Sequence, residues 1–305
     1  MIVDLPWLEA VIAKNCAIPE DLDPHAPLPG LMDNLGSPDS DLRENSLSVL
    51  WEWIAGGIYS DETLCLIGNC MAQNLSSGVG MNGDDSVFLR TFSALILGTV
   101  VNFDQACFEG RIANRKPFLA QAEVLTWLDQ TLAYLRVEQD WRGYVEVKGW
   151  AHAVAHTADL LTMLAWNHHL DTPHLEGILH ALAEKLRKPA DAILAHDEDE
   201  RLSMMMVSVL LRDKIEMPFL DGWLNRLVEP LGSDWQAVYT DPGVNFSRVN
   251  IKTFLRSLYF QLSFGWRNLS KLPYFDRQPA VRVELLPRLE KALKDLDRGR
   301  FYRSA

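Results

Sequence analysis

The feature that most constrains the fold of this chain is the recurrence of apolar residues at every third or fourth position along nearly its whole length. This recurrence is typical of α-helices that bury one face. The strict alternation that indicates half-buried strands, flanked by turn residues, is almost missing from the sequence. The sequence therefore predicts an all-α protein.

The helical segments come in pairs, in which a strongly apolar segment precedes an ordinary amphipathic one. The strongly apolar segments begin near Asp41, Asp85, Lys148, Glu198 and Val249. The amphipathic segments lie near residues 62–75, 118–136, 174–187, 216–229 and 281–296. The strong segments start about 44 to 63 residues apart, close to the period of two-helix repeats once loop lengths vary.

One helix pair cannot bury its own apolar face, so neighbouring pairs must stack into a curved array with a concave inner face. We therefore predict an α-solenoid of about five helix pairs, similar to HEAT and armadillo repeats. The predicted divisions are an N-terminal helix and Pro-rich lead-in at 1–40, a single repeat domain at 41–296, and a basic C-terminal tail at 297–305.

Net charge and hydropathy restrict the binding partners and the cellular location expected for this protein. The formal net charge of −12 opposes binding to nucleic acid, which needs clustered Lys and Arg, so we expect no nucleic-acid partner. Asp4 and Pro6 interrupt the first apolar stretch, which lacks the basic start of a secretory signal. No apolar run reaches membrane-spanning length. We predict a cytoplasmic protein with no membrane partner and with its four cysteines reduced and in the core.

The segment from Lys148 to Trp166 is the most informative for function, because polar residues interrupt an otherwise apolar sequence. A continuous helix would carry four of them on one stripe: Lys148, His152, His156 and Asp159. Buried polar groups need partners, so this stripe faces either a ligand groove or the polar groups of neighbouring helices.

A metal site is the sharper of these alternatives. His152 and His156, one turn apart, and Asp159 would bind zinc, iron or manganese, and Glu198 or Glu200 would act as the general base of a metal-dependent hydrolase or lyase. The spacing lacks the glutamate of the HExxH motif, which favours the other alternative, in which the histidines form hydrogen bonds across the helix stack and Asp159 holds one tautomer. Whether the chain is an enzyme therefore stays open.

Two arginines lie inside apolar sequence, Arg90 in FLRTFSALIL and Arg256 in FLRSLYFQL. A buried arginine requires a carboxylate or phosphate. One interpretation is an anion clamp on the concave face, joined by Lys252 and Tyr259. The other is a set of structural ion pairs with acids such as Asp85, Glu198 or Glu200.

Four segments of the chain resemble a bacterial family of helical proteins of unknown function. They are GWAHAVAHTADLL at 149–161, DSVFLRTFSALIL at 85–97, DER at 199–201 and FLRSLYFQL at 254–262. The resemblance extends from about Asp41 to Leu262. It implies a helical, solenoid-like fold, and it brings no reaction or ligand with it.

Together these patterns predict a binding or scaffold module whose concave groove receives a small polar ligand or a peptide. The metal-dependent hydrolase or lyase is the alternative. The residues predicted to line the groove are Arg90, Lys148, Trp150, His152, His156, Asp159, Glu200, Arg256 and Tyr259.

Overall fold

The computed structural model describes residues 1–230, 235–266 and 272–303. Over these residues the regular secondary structure is helical apart from one short β-hairpin, which confirms the predicted all-α class. The chain forms two compact units, Met1–His169 and Leu170–Ala305. The last two residues of the predicted basic tail lie outside the described residues.

The first unit contains seven helices and the hairpin. They are α1 (Leu5–Ile12), α2 (Leu28–Asn34), α3 (Ser40–Ala55), α4 (Asp61–Asn74), α5 (Ser86–Phe108), α6 (Gln121–Val137), β1 (Tyr144–Val145), β2 (Gly149–Trp150) and α7 (Ala153–Trp166). Helix α5 lies at the centre, because it packs on α3, α4 and α7, while α4 packs on α6. Within the described ranges α5 is the single helix long and apolar enough to cross a membrane, and 78% of its most apolar window is buried inside the protein.

The described residues of the second unit form five α-helices and two short 3-10 helices. They are α8 (Thr172–Arg187), α9 (Glu198–Leu210), α10 (Met217–Val228), Trp235–Tyr239, α11 (Pro242–Phe264), Pro273–Asp276 and α12 (Arg282–Asp297). Helix α9 packs on α11, α8 packs on α10, and α12 packs on both α10 and α11. Helix α11 begins before the predicted start near Val249, because Asp241 accepts hydrogen bonds from the first backbone N–H groups and Pro242 occupies the first helical position.

The start of α7 corrects the sequence prediction. Residues before Ala153 do not continue the helix, because Tyr144 pairs with Trp150 and Val145 with Gly149 in an antiparallel hairpin. His152 has a φ of 48°, in the left-handed region, so a right-handed helix cannot pass through it. The predicted helical stripe from Lys148 to Asp159 is therefore wrong. Of its four members, His156 and Asp159 lie within the helix.

Candidate functional site

A series of aromatic rings extends from the hairpin into the core of the first unit. The rings of Tyr144 and Trp150 lie 5.0 Å apart, and Trp150 stacks on His152 at 4.3 Å. His152 meets His156 edge to face at 5.5 Å, and His156 meets Phe92 in the same way at 5.3 Å. Tyr144 is 54% exposed whereas both histidines are 5% exposed. The structure therefore brings three predicted groove residues, Trp150, His152 and His156, into one packed series.

The predicted metal ligands do not form a coordinating set. Among the described residues, no three His, Cys, Asp or Glu side chains are grouped so that they could hold a metal ion. The hypothesis of zinc, iron or manganese bound by His152, His156 and Asp159 depended on helical spacing, and His152 precedes the helix. The ring planes of His152 and His156 lie at 84° to each other, an arrangement typical of aromatic packing.

Arg90 is fully buried in α5 and forms a two-bond ion pair with Glu138, which follows α6. Arg90 Nη2 donates to Glu138 Oε1 at 3.1 Å, Arg90 Nε donates to Oε2, and Arg90 Nη1 donates to Ser86 Oγ at 2.8 Å. Glu138 Oε1 also accepts the backbone N–H groups of Gln139 and Asp140, each at 2.8 Å. Burial acts to lower the pKa of Arg90, but the hydrogen bond and charge of Glu138 outweigh it and raise that pKa.

Arg90 therefore has the structural role that the sequence left as the alternative to an anion clamp. Its partner is Glu138 rather than Asp85, Glu198 or Glu200, and its guanidinium is engaged inside the core. The prediction that Arg90 lines a ligand groove is corrected accordingly. The physical reason is that a buried arginine is stable when a carboxylate satisfies it, and Glu138 already does so.

Two cations hold the hairpin against α3 and α5. Lys148 Nζ lies 2.7 Å from both carboxylate oxygens of Asp85, and each side chain is 41% exposed. Arg43, fully buried in α3, donates from Nη2 to Lys148 O at 2.6 Å and from Nη1 to Ser37 O at 2.7 Å. Its guanidinium also lies 4.1 Å from the ring centre of Phe88. Lys148 is thus placed by the hairpin beside the first turn of α5.

The predicted groove residues of the second unit have hydrogen-bond partners elsewhere in that unit. Glu200 Oε2 accepts from Gln261 Nε2 at 2.6 Å, and Tyr259 OH donates to Glu290 Oε1 at 2.9 Å. Glu290 raises the pKa of Tyr259 through this hydrogen bond. Arg256 is exposed and donates from Nε to Tyr302 OH at 2.9 Å. Arg256 therefore faces solvent rather than a buried clamp.

Glu198 differs from Glu200 although both lie in the first turn of α9. Glu198 is 2% exposed, and its Oε2 accepts the backbone N–H of His196 at 2.8 Å. This hydrogen bond fixes the turn that leads into α9. Glu198 and Glu200 were the predicted candidates for a general base, and that role stays a prediction.

Two cavities in the first unit were not predicted from the sequence. The first measures about 550 Å³ and lies against α2, α4 and α5, and the second measures about 700 Å³ and lies against α4. The residues around the first include Met32, Asp33, Ser37, Cys70, Asp85 and Leu89. The residues around the second include Asp61, Glu62, Cys65, Leu66, Cys70 and Phe118. One signal for the second was available, since Leu66 is an apolar residue on the polar side of an amphipathic segment.

The chemistry of the first cavity combines carboxylates with an apolar wall. Asp33 is exposed on α2, and Asp85 lies beside Lys148 at the start of α5. Burial and the negative charge of Asp33 raise the pKa of the Cys70 thiol, so this thiol stays protonated at neutral pH. The cavity therefore offers hydrogen-bond acceptors and negative charge rather than a thiolate nucleophile.

Fold and cavities together define a class, an all-α protein of paired helices with an acidic, partly apolar cavity in its N-terminal unit. Residues 75–260 match the family described as protein of unknown function (DUF2785). This range covers more than half of the chain and includes α5, the hairpin, α7 and α9, so the chain belongs to this family. The predicted membership in a family of unknown function is confirmed. Neither a curated protein nor a solved structure matches the chain.

Proposed function

We propose that the chain is a binding module whose site is the 550 Å³ cavity, and that the ligand is a small polar molecule or a peptide with a positive charge. The observation that carries this proposal is the placement of Asp33 and Asp85 beside the apolar side chains of Met32 and Leu89. Small-molecule sites usually measure about 300 to 1,000 Å³ and combine apolar walls with a few polar groups that orient the ligand.

The two carboxylates would act differently on a cationic ligand. Asp33 forms no ion pair within the described part of the chain, so a ligand ammonium would meet an uncompensated charge. Asp85 already binds Lys148, but an ion pair between half-exposed groups contributes only about 0 to 1 kcal/mol. A ligand cation could therefore share Asp85 with Lys148 at little cost.

Binding is favoured over catalysis by the groups around this cavity. The residues that line it supply carboxylates, hydroxyls and a protonated thiol. Lys148 beside it is held in an ion pair by Asp85, so neither group is arranged to activate a nucleophile. The net charge of −12 also favours cationic ligands over nucleic acid.

We further propose that the helix pairs build a HEAT-like α-solenoid with a concave groove and that the protein acts in the cytoplasm. Packing inside each unit supports the first point, because α3, α5 and α7 pack in succession, as α9 and α11 do, and α8, α10 and α12 form a second row. The free cysteines among the described residues fit a reducing compartment.

The test is a thermal-shift screen of the full chain against amines, amino acids and short basic peptides, repeated on Asp33→Asn. A ligand at one hundred times its Kd stabilises a protein by about 2.7 kcal/mol, which raises the Tm measurably. We expect this rise to shrink in Asp33→Asn and to persist in Glu20→Gln, the same loss of charge at an exposed residue outside the cavity. Equal shifts in both variants would contradict the proposal.

Measuring the metal content of the protein distinguishes the alternative function from the binding module. Elemental mass spectrometry of tagless protein, purified without chelator, is compared with a His152→Ala, His156→Ala double variant. Near-stoichiometric zinc, iron or manganese that is lost in the variant would favour the metal-dependent hydrolase or lyase over the binding module.

A further inference from the structure

The β-hairpin of the first unit is attached to the wall of the 550 Å³ cavity at two points. Lys148, in the turn of the hairpin, places its Nζ 2.7 Å from both carboxylate oxygens of Asp85, which lines the cavity. The guanidinium of Arg43 donates to Lys148 O at 2.6 Å and to Ser37 O at 2.7 Å, and Ser37 also lines the cavity. We call the hairpin, residues 144–150, the strap.

The two attachments differ in how readily they can be broken. Arg43 is fully buried, and a side chain at Gly149 would meet its Nη2 at 3.1 Å, so the strap packs closely on α3 at this point. The side chains of Lys148 and Asp85 are each 41% exposed. An exposed ion pair of this kind changes an equilibrium by a factor of about five or less. The Arg43 attachment is therefore the permanent one, and the ion pair of Lys148 with Asp85 can open.

The turn of the strap has a strained conformation. Val147 has a φ of 68°, in the left-handed region, which is costly for a β-branched residue. Its side chain is 87% exposed, so packing does little to offset this cost. Strain of this kind persists where the surrounding contacts impose it, and here they include the hydrogen bond from Lys148 N–H to Val145 O and the ion pair with Asp85. We therefore expect the turn to relax when Lys148 leaves Asp85.

We propose that the strap is an autoinhibitory element, in which Lys148 occupies the position at Asp85 that a ligand's primary ammonium would take. The side chain of lysine is itself a primary ammonium on a four-carbon chain, so its contact with both oxygens of Asp85 shows the chemistry that this carboxylate accepts. A ligand has to displace Lys148, which lowers the apparent affinity without abolishing binding. This inference rests on the proposed function, because it assigns Asp85 as the group that meets the ligand cation.

The test uses n-butylammonium, which reproduces the lysine side chain, and tetramethylammonium, which has the same charge but no N–H group, at equal ionic strength. Ligand-observed NMR titration of the full chain gives the Kd. Lys148→Met removes the charge and keeps the length of the side chain. We expect it to lower the Kd of n-butylammonium by about two- to five-fold, the range for an exposed ion pair. Lys116→Met, the same change at an exposed residue in the loop before α6, should leave the Kd unchanged.

Two further measurements show where the amine acts. Asp85 makes no side-chain hydrogen bond that caps α5, so Asp85→Asn leaves the start of the helix intact. The amine should bind Asp85→Asn more weakly, and adding Lys148→Met should then change nothing. In the wild type, n-butylammonium should speed hydrogen exchange of residues 144–150 by about two-fold or more, as mass spectrometry measures it. Exchange in Lys148→Met should be fast already and should not respond to the amine.

The outcomes separate this inference from the proposed function. If Lys148→Met leaves the Kd of n-butylammonium unchanged or raises it, or if tetramethylammonium speeds exchange equally, Lys148 is not a competitor and the inference is wrong. It is also wrong if n-butylammonium binds neither protein. In each of these cases the proposed function still stands when the thermal-shift screen finds a ligand that Asp33→Asn weakens. If that screen finds no ligand either, both proposals fail.

Discussion

Arg90 and Arg256 follow the same Phe-Leu dipeptide in apolar helical sequence, yet they occupy opposite environments. Arg90 is fully buried in α5 and binds both oxygens of Glu138. Arg256 is exposed on α11 and donates to the hydroxyl of Tyr302. Helix α5 is covered by α3, α4 and α7, whereas the Arg256 side of α11 faces solvent. The surroundings of each helix, rather than the local sequence, decide what each arginine contributes.

The second unit has its own buried cation one turn before Arg256. Lys252 is 8% exposed and binds Asp297 Oδ1 at 2.6 Å. Asp297 Oδ2 accepts the backbone N–H groups of Phe301 and Tyr302 at 2.6 Å and 2.8 Å, so this carboxylate also holds the residues after α12. The counterpart of Arg90 in energetic terms is therefore Lys252 rather than Arg256.

The largest effect is expected for Arg90→Ala. Removing one partner of a buried ion pair leaves an uncompensated charge, here Glu138, and costs about 3 to 5 kcal/mol. Urea unfolding followed by circular dichroism measures this change in the free energy of unfolding. A neutral pair of similar shape should recover much of the loss, so Arg90→Met with Glu138→Gln is the matched control. A loss of less than about 1 kcal/mol in the free energy of unfolding of Arg90→Ala would contradict the contrast between Arg90 and Arg256.

A smaller effect is expected for Lys252→Met, about 1 to 3 kcal/mol, because Asp297 keeps two backbone donors. Burial acts to raise the pKa of Asp297, but hydrogen bonds from Lys252, Phe301 and Tyr302 outweigh it and lower that pKa to about 2. The unfolded chain has a pKa near 3.9 for aspartate. The stabilisation is thus fully present above about pH 4 and is lost as the pH falls towards 2.

The pH dependence provides a second measurement on the same variant. The free energy of unfolding of wild type and Lys252→Met is compared between pH 2 and pH 6. We expect the difference between them to shrink as the pH falls through this window, because protonated Asp297 no longer attracts Lys252. A difference that stays constant from pH 6 to pH 2 would show that Lys252 stabilises the unit by packing alone.

The sequence was sufficient for the helices because apolar periodicity is a local property. Each of the ten predicted segments contains a helix, and most of these helices begin within a few residues of the predicted start. It was insufficient at α7, because the left-handed backbone of His152 stops the helix there, although the pattern of apolar residues continues on both sides. The short helix α2 was not predicted, since seven residues containing Pro and Gly give little periodic signal.

The candidate site was harder to predict because its parts are distant in sequence. The partner of Arg90, Glu138, lies 48 residues later, directly after the end of α6, where no sequence pattern marks it as a partner. The first cavity joins residues of α2, α4 and α5, which share no motif. Of the residues predicted for the groove, Lys148 lies beside this cavity through its contact with Asp85.

The smallest effect is expected for Arg256→Ala. An exposed arginine that donates to one hydroxyl contributes little, so the free energy of unfolding should change by about 0.5 kcal/mol or less. Tyr302→Phe removes the same hydrogen bond by deleting its acceptor, so it should change the free energy of unfolding by the same amount. The double variant should be no less stable than either single variant. Equality of the two single variants would show that the hydrogen bond is all that Arg256 provides. A loss above about 2 kcal/mol in Arg256→Ala alone would mean instead that Arg256 is desolvated like Arg90, and the contrast between the two arginines would no longer hold.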